Sequence, residues 1–389
     1  MAWLKIILKR VGVRGLSAIL AILLASPFSW NGLTGFYLWL SPFIMLNSVF
    51  LLKSVVWLNG FAFLILVIIF LRKRWFCRYL CPVGWGCDLV SSCSHRKKFP
   101  VQKIPPLGKW MAISSLAAAL AGMPLFILLD PMSLFNGFFT VFSREEITIP
   151  AVISLLGLPF LLAIHLFFPG IWCTRICPLG GLQDEAIHVK KLLRKIQRKR
   201  NRLENGNGRR LFIASGLGMI VPRFLLPGEE AYIRPPGSIP ESLFNRLCLR
   251  CGSCIKACPT GILVHRIDSG DITSWMIPEI CFDKGYCLED CNLCSRVCSS
   301  GAITLFSCES KHQLPIGLAK IELQNCLLLK NIECDHCKIA CPYDAITINT
   351  EQKVLKAIPA VNSSKCVGCG ACAVICSSET ISITAFLSK

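Results

Sequence analysis

The chain has 389 residues, 53% of them hydrophobic with a mean hydropathy of +0.56, which is too apolar for an ordinary soluble protein. Its net charge of +19 is uneven: residues 1–227 hold 27 Lys and Arg against 7 acidic residues, whereas 228–389 hold 15 against 16. A basic balance confined to the apolar half is a topology signal, and it argues against nucleic acid as a partner.

Read in chain order at about 20 residues per crossing, the apolar runs predict membrane helices over 15–30, 55–71, 110–129 and 151–168. The segment 36–52 is broken by Pro42 and Asn47 and bounded by Lys53, so it reads as interfacial or re-entrant. Lys5, Lys9, Arg10 and Arg14 precede the first span, a basic loop separates the second from the third, and 190–202 follows the fourth. By the positive-inside rule these three regions are cytoplasmic. Asp130, Arg144, Glu145 and Glu146 read as ordinary loop charges.

Two cysteine pairs mark equivalent helix ends. WFCRYLCPVG holds Cys77 and Cys81, and IWCTRICPLG holds Cys173 and Cys177, each as C-x3-C-P followed by Gly. The x3 spacing puts both sulfurs on one helix face, so the two pairs together predict a four-thiolate redox or metal site. His165 is an ionisable residue inside a predicted span and is a candidate for taking a quinol proton.

Beyond the basic run, Arg209 and Arg210 stand before Phe212 and a modest apolar stretch. That pattern reads as a twin-arginine export signal with no A-x-A cleavage site, hence an uncleaved fifth crossing over 211–226.

Of the 24 cysteines, 18 lie between Cys248 and Cys376. Two runs are C-x2-C-x2-C-x3-C: Cys248, Cys251, Cys254, Cys258 and Cys366, Cys369, Cys372, Cys376. A third holds Cys326, Cys334, Cys337 and Cys341. The fourth ends in Cys291, Cys294 and Cys298, with Cys281 or Cys287 upstream. Strand-like MIPEIC favours Cys281, whereas closeness within GYCLEDCNLC favours Cys287, and Cys287 is the predicted ligand. Cys281 and Cys308 are then spare, buried thiols.

A cube of iron and sulfide needs four converging thiolates, and the x2, x3 rhythm supplies them. A disulfide framework would not repeat that rhythm, and structural zinc would use separated C-x2-C pairs or Cys/His sets. After each last cysteine a turn leads into a short β-branched segment, so one unit occurs four times. In two-cluster ferredoxins the last cysteine of each run serves the partner cluster, which exchanges Cys258 with Cys298 and Cys341 with Cys376. The runs therefore predict four [4Fe-4S] clusters held by 16 cysteines, with one further metal or cluster at the C-x3-C-P pairs.

Residues 1–190, with CRYLCPVG and CTRICPLG, resemble the NapH and NosR-type membrane proteins associated with periplasmic reductases. From Arg209 onward the chain resembles the NapG/MauM-type polyferredoxins, departing from their pattern at Ser299 and Ser377, where Pro is usual. Together the resemblances imply a fusion of the two subunits of a quinol dehydrogenase. The expected fold is a multi-domain one. An α-helical membrane domain over 1–189 comes first, then a basic linker and signal-anchor helix over 190–227. An α+β, bacterial-ferredoxin-like polyferredoxin domain over 228–389 follows. The expected location is the prokaryotic cytoplasmic membrane, with the clusters on the extracytoplasmic side.

No C-x2-C-H motif for covalent haem and no G-x-G-x-x-G after a predicted strand occurs. Electrons therefore move singly or arrive from quinol. The implied function is electron transfer from the quinone pool, in contact with membrane lipid, through the clusters to an extracytoplasmic redox partner. Two alternatives stay open: a NosR-like regulatory or maturation factor, and a cytoplasm-facing carrier linked to soluble ferredoxin.

Overall fold

A computed structural model describes residues 2–26, 31–55, 57–92, 94, 104–142, 149–198, 232–265, 275–330, 332–351 and 356–385. They fall into two compact units, the first 1–227 with 246–253 and 299–301, the second 228–245, 254–298 and 302–389.

The first unit is helical. Its main helices are α1 (Ala2–Ala25), α2 (Phe36–Trp39), α3 (Pro42–Leu52), α4 (Asn59–Leu71), α5 (Trp75–Tyr79), α6 (Pro82–Ser92), α7 (Leu107–Leu120), α8 (Pro131–Val141), α9 (Ile149–Phe167) and α10 (Pro178–Arg198). Four of them begin on proline, whose fixed φ suits the first helical position and whose missing N–H would have no partner there. Helix α8 adds a side-chain cap, Asp130 accepting from the Met132 N–H at 2.8 Å. The starts of α7 and α10 meet backbone to backbone at two glycines. A Cβ on Gly181 would lie 2.3 Å from the Gly108 carbonyl, and one on Gly108 would lie 2.4 Å from the Cys177 carbonyl oxygen. Lys109 and Glu185 close the same seam with an ion pair of 2.5 Å.

Among the described residues no helix is long and apolar enough to cross a membrane. This overturns the four-span domain, the orientation read from its loops, and the multi-pass cytoplasmic-membrane location with extracytoplasmic clusters. The reason lies in how the apolar runs are used. The run 55–71 yields α4 with 13 residues, about 20 Å of helix against an apolar layer of about 30 Å. The run 110–129 is cut where α7 stops at Leu120 and Gly122 takes φ +93°. Helix α1 carries Lys5, Lys9, Arg10 and Arg14, and α9 holds Pro159 and the buried His165. The high hydropathy has its counterpart in apolar side chains left on outer helix faces, Leu16, Phe63, Leu64 and Phe160 among them.

The segment 36–52 is not interfacial. Tyr37, Leu38, Trp39, Phe43 and Ile44 are buried within the unit, and Asn47, read as a breaker, accepts from Ser115 at 2.8 Å and donates to the Phe43 carbonyl. Asp130 is likewise no loop charge: it is fully buried and accepts from Ser41 at 2.7 Å. Arg144, Glu145, Glu146, the twin arginines Arg209 and Arg210, and the fifth crossing over 211–226 lie outside the described residues.

The second unit is built from three two-stranded antiparallel sheets: β1 (Leu263–His265) with β2 (Pro278–Ile280), β3 (Leu318–Ile321) with β6 (Ile381–Thr384), and β4 (Ile346–Glu351) with β5 (Lys356–Val361). The pairing follows the cysteine runs. In the later half β4 leaves Cys341 and returns as β5 toward Cys366, while β3 pairs with the strand after Cys376. The earlier half repeats this: β1 leaves Cys258 and pairs with β2, and a bridge joins Ser238 to Ile303, after Cys298. Ile255, Ile262, Leu263 and Ile280 form one small core, and Ala319, Ile346, Cys372 and Ile381 another, each packed directly against cysteines. Arg234 anchors the first by pairing with Glu241 at 2.5 Å and lying over the Tyr232 and Phe244 rings.

Candidate functional site

The loops carrying the cysteines need backbone conformations that side chains disfavour. Gly368 and Gly370, inside the run Cys366–Cys372, take φ of +72° and +88°, and a Cβ on Gly368 would sit 2.3 Å from the Gly317 carbonyl oxygen. The C-V-G-C-G-A-C sequence is therefore a wrapping loop as well as a ligand spacing.

Two cavities in the second unit are lined by cysteines from two runs each. Cys258 from the first run joins Cys287, Cys291 and Cys294. Cys341 from the third joins Cys366, Cys369 and Cys372. Around Cys337 the neighbouring thiols are Cys334, Cys326 and Cys376, which add to the effect of burial in pushing it up. In each case the last cysteine of one run lies with the first three of another. Cys248 and Cys251 fall in the first compact unit, Cys254 and Cys298 in the second.

Cys281 does not line the cavity that holds Cys287; its thiol donates to Asp283 at 2.9 Å, and Cys308 donates to the Asp290 carbonyl at 3.0 Å. Both spare thiols are half-exposed rather than buried.

Backbone N–H groups point at the sulfurs. Ile303 donates to Cys298 and Ala345 to Cys341, both at 3.3 Å. Burial raises the thiols of Cys294, Cys369 and Cys372, the last to about 12, with neighbouring thiols adding to the rise. Groups so reluctant to ionise alone are suited to a cationic iron centre that takes up their thiolates. Lys311, which no motif in the sequence marks, is only 4% exposed and donates to the carbonyls of Leu288 and Cys291. Cys287 is raised by burial, and this cation acts in the opposite direction. The two halves of the unit touch through these loops: the Cys287 N–H donates to the Cys369 carbonyl at 2.9 Å, with Tyr343 packed beside both cysteines.

In the first unit the C-x3-C-P pairs sit on the approaches to α6 and α10, a single helical turn (Trp75–Tyr79, Trp172–Ile176) leading to each second cysteine. The duplication is structural. Gly84 donates its N–H to Cys81 at 3.2 Å, and Gly180 donates to Cys177 at 3.4 Å. Cys77, Cys81, Cys173 and Cys177 lie close enough to act on one another's thiols; burial pushes Cys77 up to about 12 and Cys81 and Cys177 well above their ordinary value. Cys173 moves the other way, lowered by the hydrogen bond from Cys87 against the effect of burial, with His165 adding to the drop. Arg74 braces the site by donating to Asp184 at 2.5 and 2.9 Å and to the Cys173 carbonyl. Gln183 donates to Cys77 at 2.9 Å. His165 is fully buried, its Nδ1 3.1 Å from the Leu161 carbonyl. The sequence signal that would have found Cys87 and Gln183 is their common place, six residues beyond Cys81 and Cys177.

Comparison with known families points the same way. A model described as a 4Fe-4S dicluster domain matches residues 330–380, and models of 4Fe-4S binding domains match 244–264 and, in two parts, 54–101 and 150–200. The last match brackets both C-x3-C-P pairs. The ferredoxin-type protein NapG of Escherichia coli K12 is 33% identical over 197 residues, covering 44% of this chain and 81% of NapG. The methylamine utilization ferredoxin-type protein MauM of Methylophilus methylotrophus is 35% identical over 157 residues, 37% of this chain and 66% of its own. NapF of Haemophilus influenzae is 36% identical over 152 residues, 39% of this chain and 78% of its own. No solved structure matches. With cysteine loops of this form and relatives covered to this extent, the chain belongs to the NapG-like family of ferredoxin-type iron–sulfur proteins and is an electron-transfer protein.

Proposed function

We propose that the protein takes electrons from quinol and passes them singly through four [4Fe-4S] clusters to a partner reductase. The observation that carries this reading is the crossing of runs in the second unit, Cys258 with Cys287, Cys291 and Cys294, and Cys341 with Cys366, Cys369 and Cys372. The other two sets are Cys326, Cys334, Cys337 with Cys376, and Cys248, Cys251, Cys254 with Cys298. Each cluster, when bound, supplies reversible one-electron chemistry at a potential set by its surroundings. The chain's own residues set those surroundings: small apolar cores keep water from the sulfurs, backbone N–H groups donate to them, and Lys311 places a cation beside one set. The contact between Cys287 and Cys369 offers a short passage from one half of the unit to the other. Cys77, Cys81, Cys173 and Cys177 provide a further metal or cluster site, and the family match at 54–101 and 150–200 supports it.

The test is reduction by a quinol analogue. Anaerobically prepared protein of wild-type sequence is expected to hold about 16 iron atoms in residues 228–389 and to bleach on addition of the analogue. Eight irons or fewer after full reconstitution would sink the four-cluster count. Full iron with no response to quinol would favour a regulatory or maturation role.

A further inference from the structure

The two C-x3-C-P copies are equivalent, but two positions around them are not. Six residues after the second cysteine, one copy has Cys87 and the other Gln183. Eight residues before the first cysteine, one copy has Ile69 and the other His165. Gln183 crosses to Cys77, and Cys87 makes the matching approach to Cys173. Cys77 is thus attended by an amide, with an aliphatic residue at the remaining equivalent position. Cys173 is attended by a thiol and an imidazole. The asymmetry gathers metal-ligating groups on one side only.

The sulfurs of Cys87 and Cys173 and a ring nitrogen of His165 lie within 4.8 Å of one another. Cys87 is 1% and His165 0% exposed. His165 is already oriented as a ligand would be: Nδ1 faces the Leu161 carbonyl at 3.1 Å, and Nε2 is buried with no hydrogen-bond partner. A histidine held by one nitrogen on a backbone carbonyl offers the other nitrogen's lone pair to a metal. A tetrahedral zinc ion sets its ligand atoms about 3.6 Å apart, which a small closing of this triad reaches.

We propose that Cys87, His165 and Cys173 bind one divalent metal ion of the zinc class. Two thiolates and an imidazole are the donor set such an ion prefers, and binding displaces the two thiol protons. Three protein ligands leave a fourth position for another donor. Cys173 is also one of the four C-x3-C-P thiols, so a metal on this triad and one held by all four thiols are alternatives, which the Cys77 variant tells apart. This inference does not rest on the quinol reading, which iron content and quinol response test separately.

The experiment loads the full-length, iron-containing protein with Zn2+, dialyses it, counts zinc against iron and records the zinc-edge X-ray absorption. One zinc with mixed sulfur and nitrogen neighbours is expected, lost from His165→Ala and from Cys87→Ser, retained in Cys77→Ser, with the iron of 228–389 unchanged throughout. An unchanged helical circular-dichroism spectrum shows that the variants fold. Zinc retained in His165→Ala and Cys87→Ser overturns the proposal. So does zinc lost in Cys77→Ser, which would place the ion on the four-thiol set, and so does iron lost in His165→Ala, which would assign the histidine to an iron site.

Discussion

In the second unit thiols meet because short loops cross: three cysteines of one run and the last cysteine of its partner line a cavity floored by a two-stranded sheet. In the first unit thiols meet because helix ends meet, with Cys81 and Cys177 directly before the prolines that start α6 and α10. Short cysteine loops, two of them with glycines at positive φ, can be read as a spacing rule. Helix ends brought together from residues 77 to 177 cannot, since their meeting depends on packing along the whole of α7 and α10. The lesson is that equally strong cysteine patterns differ in how much of their chemistry is local.

The sharpest break of this comparison is exchange of the crossing cysteines. Cys258→Ser is expected to remove about four iron atoms and the signal of the cluster on Cys287, Cys291 and Cys294, while Cys281→Ser leaves iron unchanged. Loss of the cluster on the variant's own run instead would show that the loops do not cross. Next in size, Cys77→Ser and Cys173→Ser should each abolish quinol-dependent reduction while the iron of 228–389 stays whole; normal reduction in both would leave the first unit's pairs a packing feature.

The dependence of the first site on helix packing is tested at Gly181. Its Ala variant must push a Cβ into the Gly108 backbone and should lose about 3 kcal/mol in chemical denaturation. Gly137→Ala, in open space within α8, should gain about 0.5–1 kcal/mol. Equal effects at the two glycines would contradict the close approach. On the loop side, Lys311→Met removes a buried cation and should lower one cluster's midpoint potential by roughly 50–150 mV in a redox titration followed by EPR.

A pH-dependent effect concerns Asp130, raised to about 6 by burial, which the bonds from Ser41, Met132 and Ser133 partly offset. Below about pH 4 it is protonated folded and unfolded alike. Between about 4 and 6 the folded state keeps a proton that the unfolded state releases, so stability falls as pH rises. Above 6 both states are ionised and the curve is flat. The drop should be about 3 kcal/mol, and Asp130→Asn should remove it; a variant with the same slope would clear Asp130 of the effect.

Much of the second unit was legible because its information is short-range. All four of its runs place every ligand-type residue within 16 positions, and the β-branched segments after Cys258 and Cys341 become β1 and β4. Lys311 was not legible, because a lysine 13 residues past Cys298 shows nothing of the carbonyls that turn it inward. The apolar runs of the first unit were legible as helices but not as spans. Hydropathy counts residues, whereas the run 55–71 forms only the 13 residues of α4 and the turn at Gly122 divides the run 110–129.

By itself the sequence determined that this protein carries iron–sulfur chemistry, since thiolates at x2 and x3 spacing reach one cluster through local loop geometry alone. It also determined that the C-x3-C-P motif occurs twice. Only the tertiary structure decided that Cys287 rather than Cys281 lies with Cys258 and that, among the described residues, no helix is long and apolar enough to cross a membrane. It also brought Cys87 and His165 to Cys173. Those outcomes turn on which faces of distant helices and loops touch. A contact across nearly ninety residues is set by packing of the whole unit, and no local spacing encodes it.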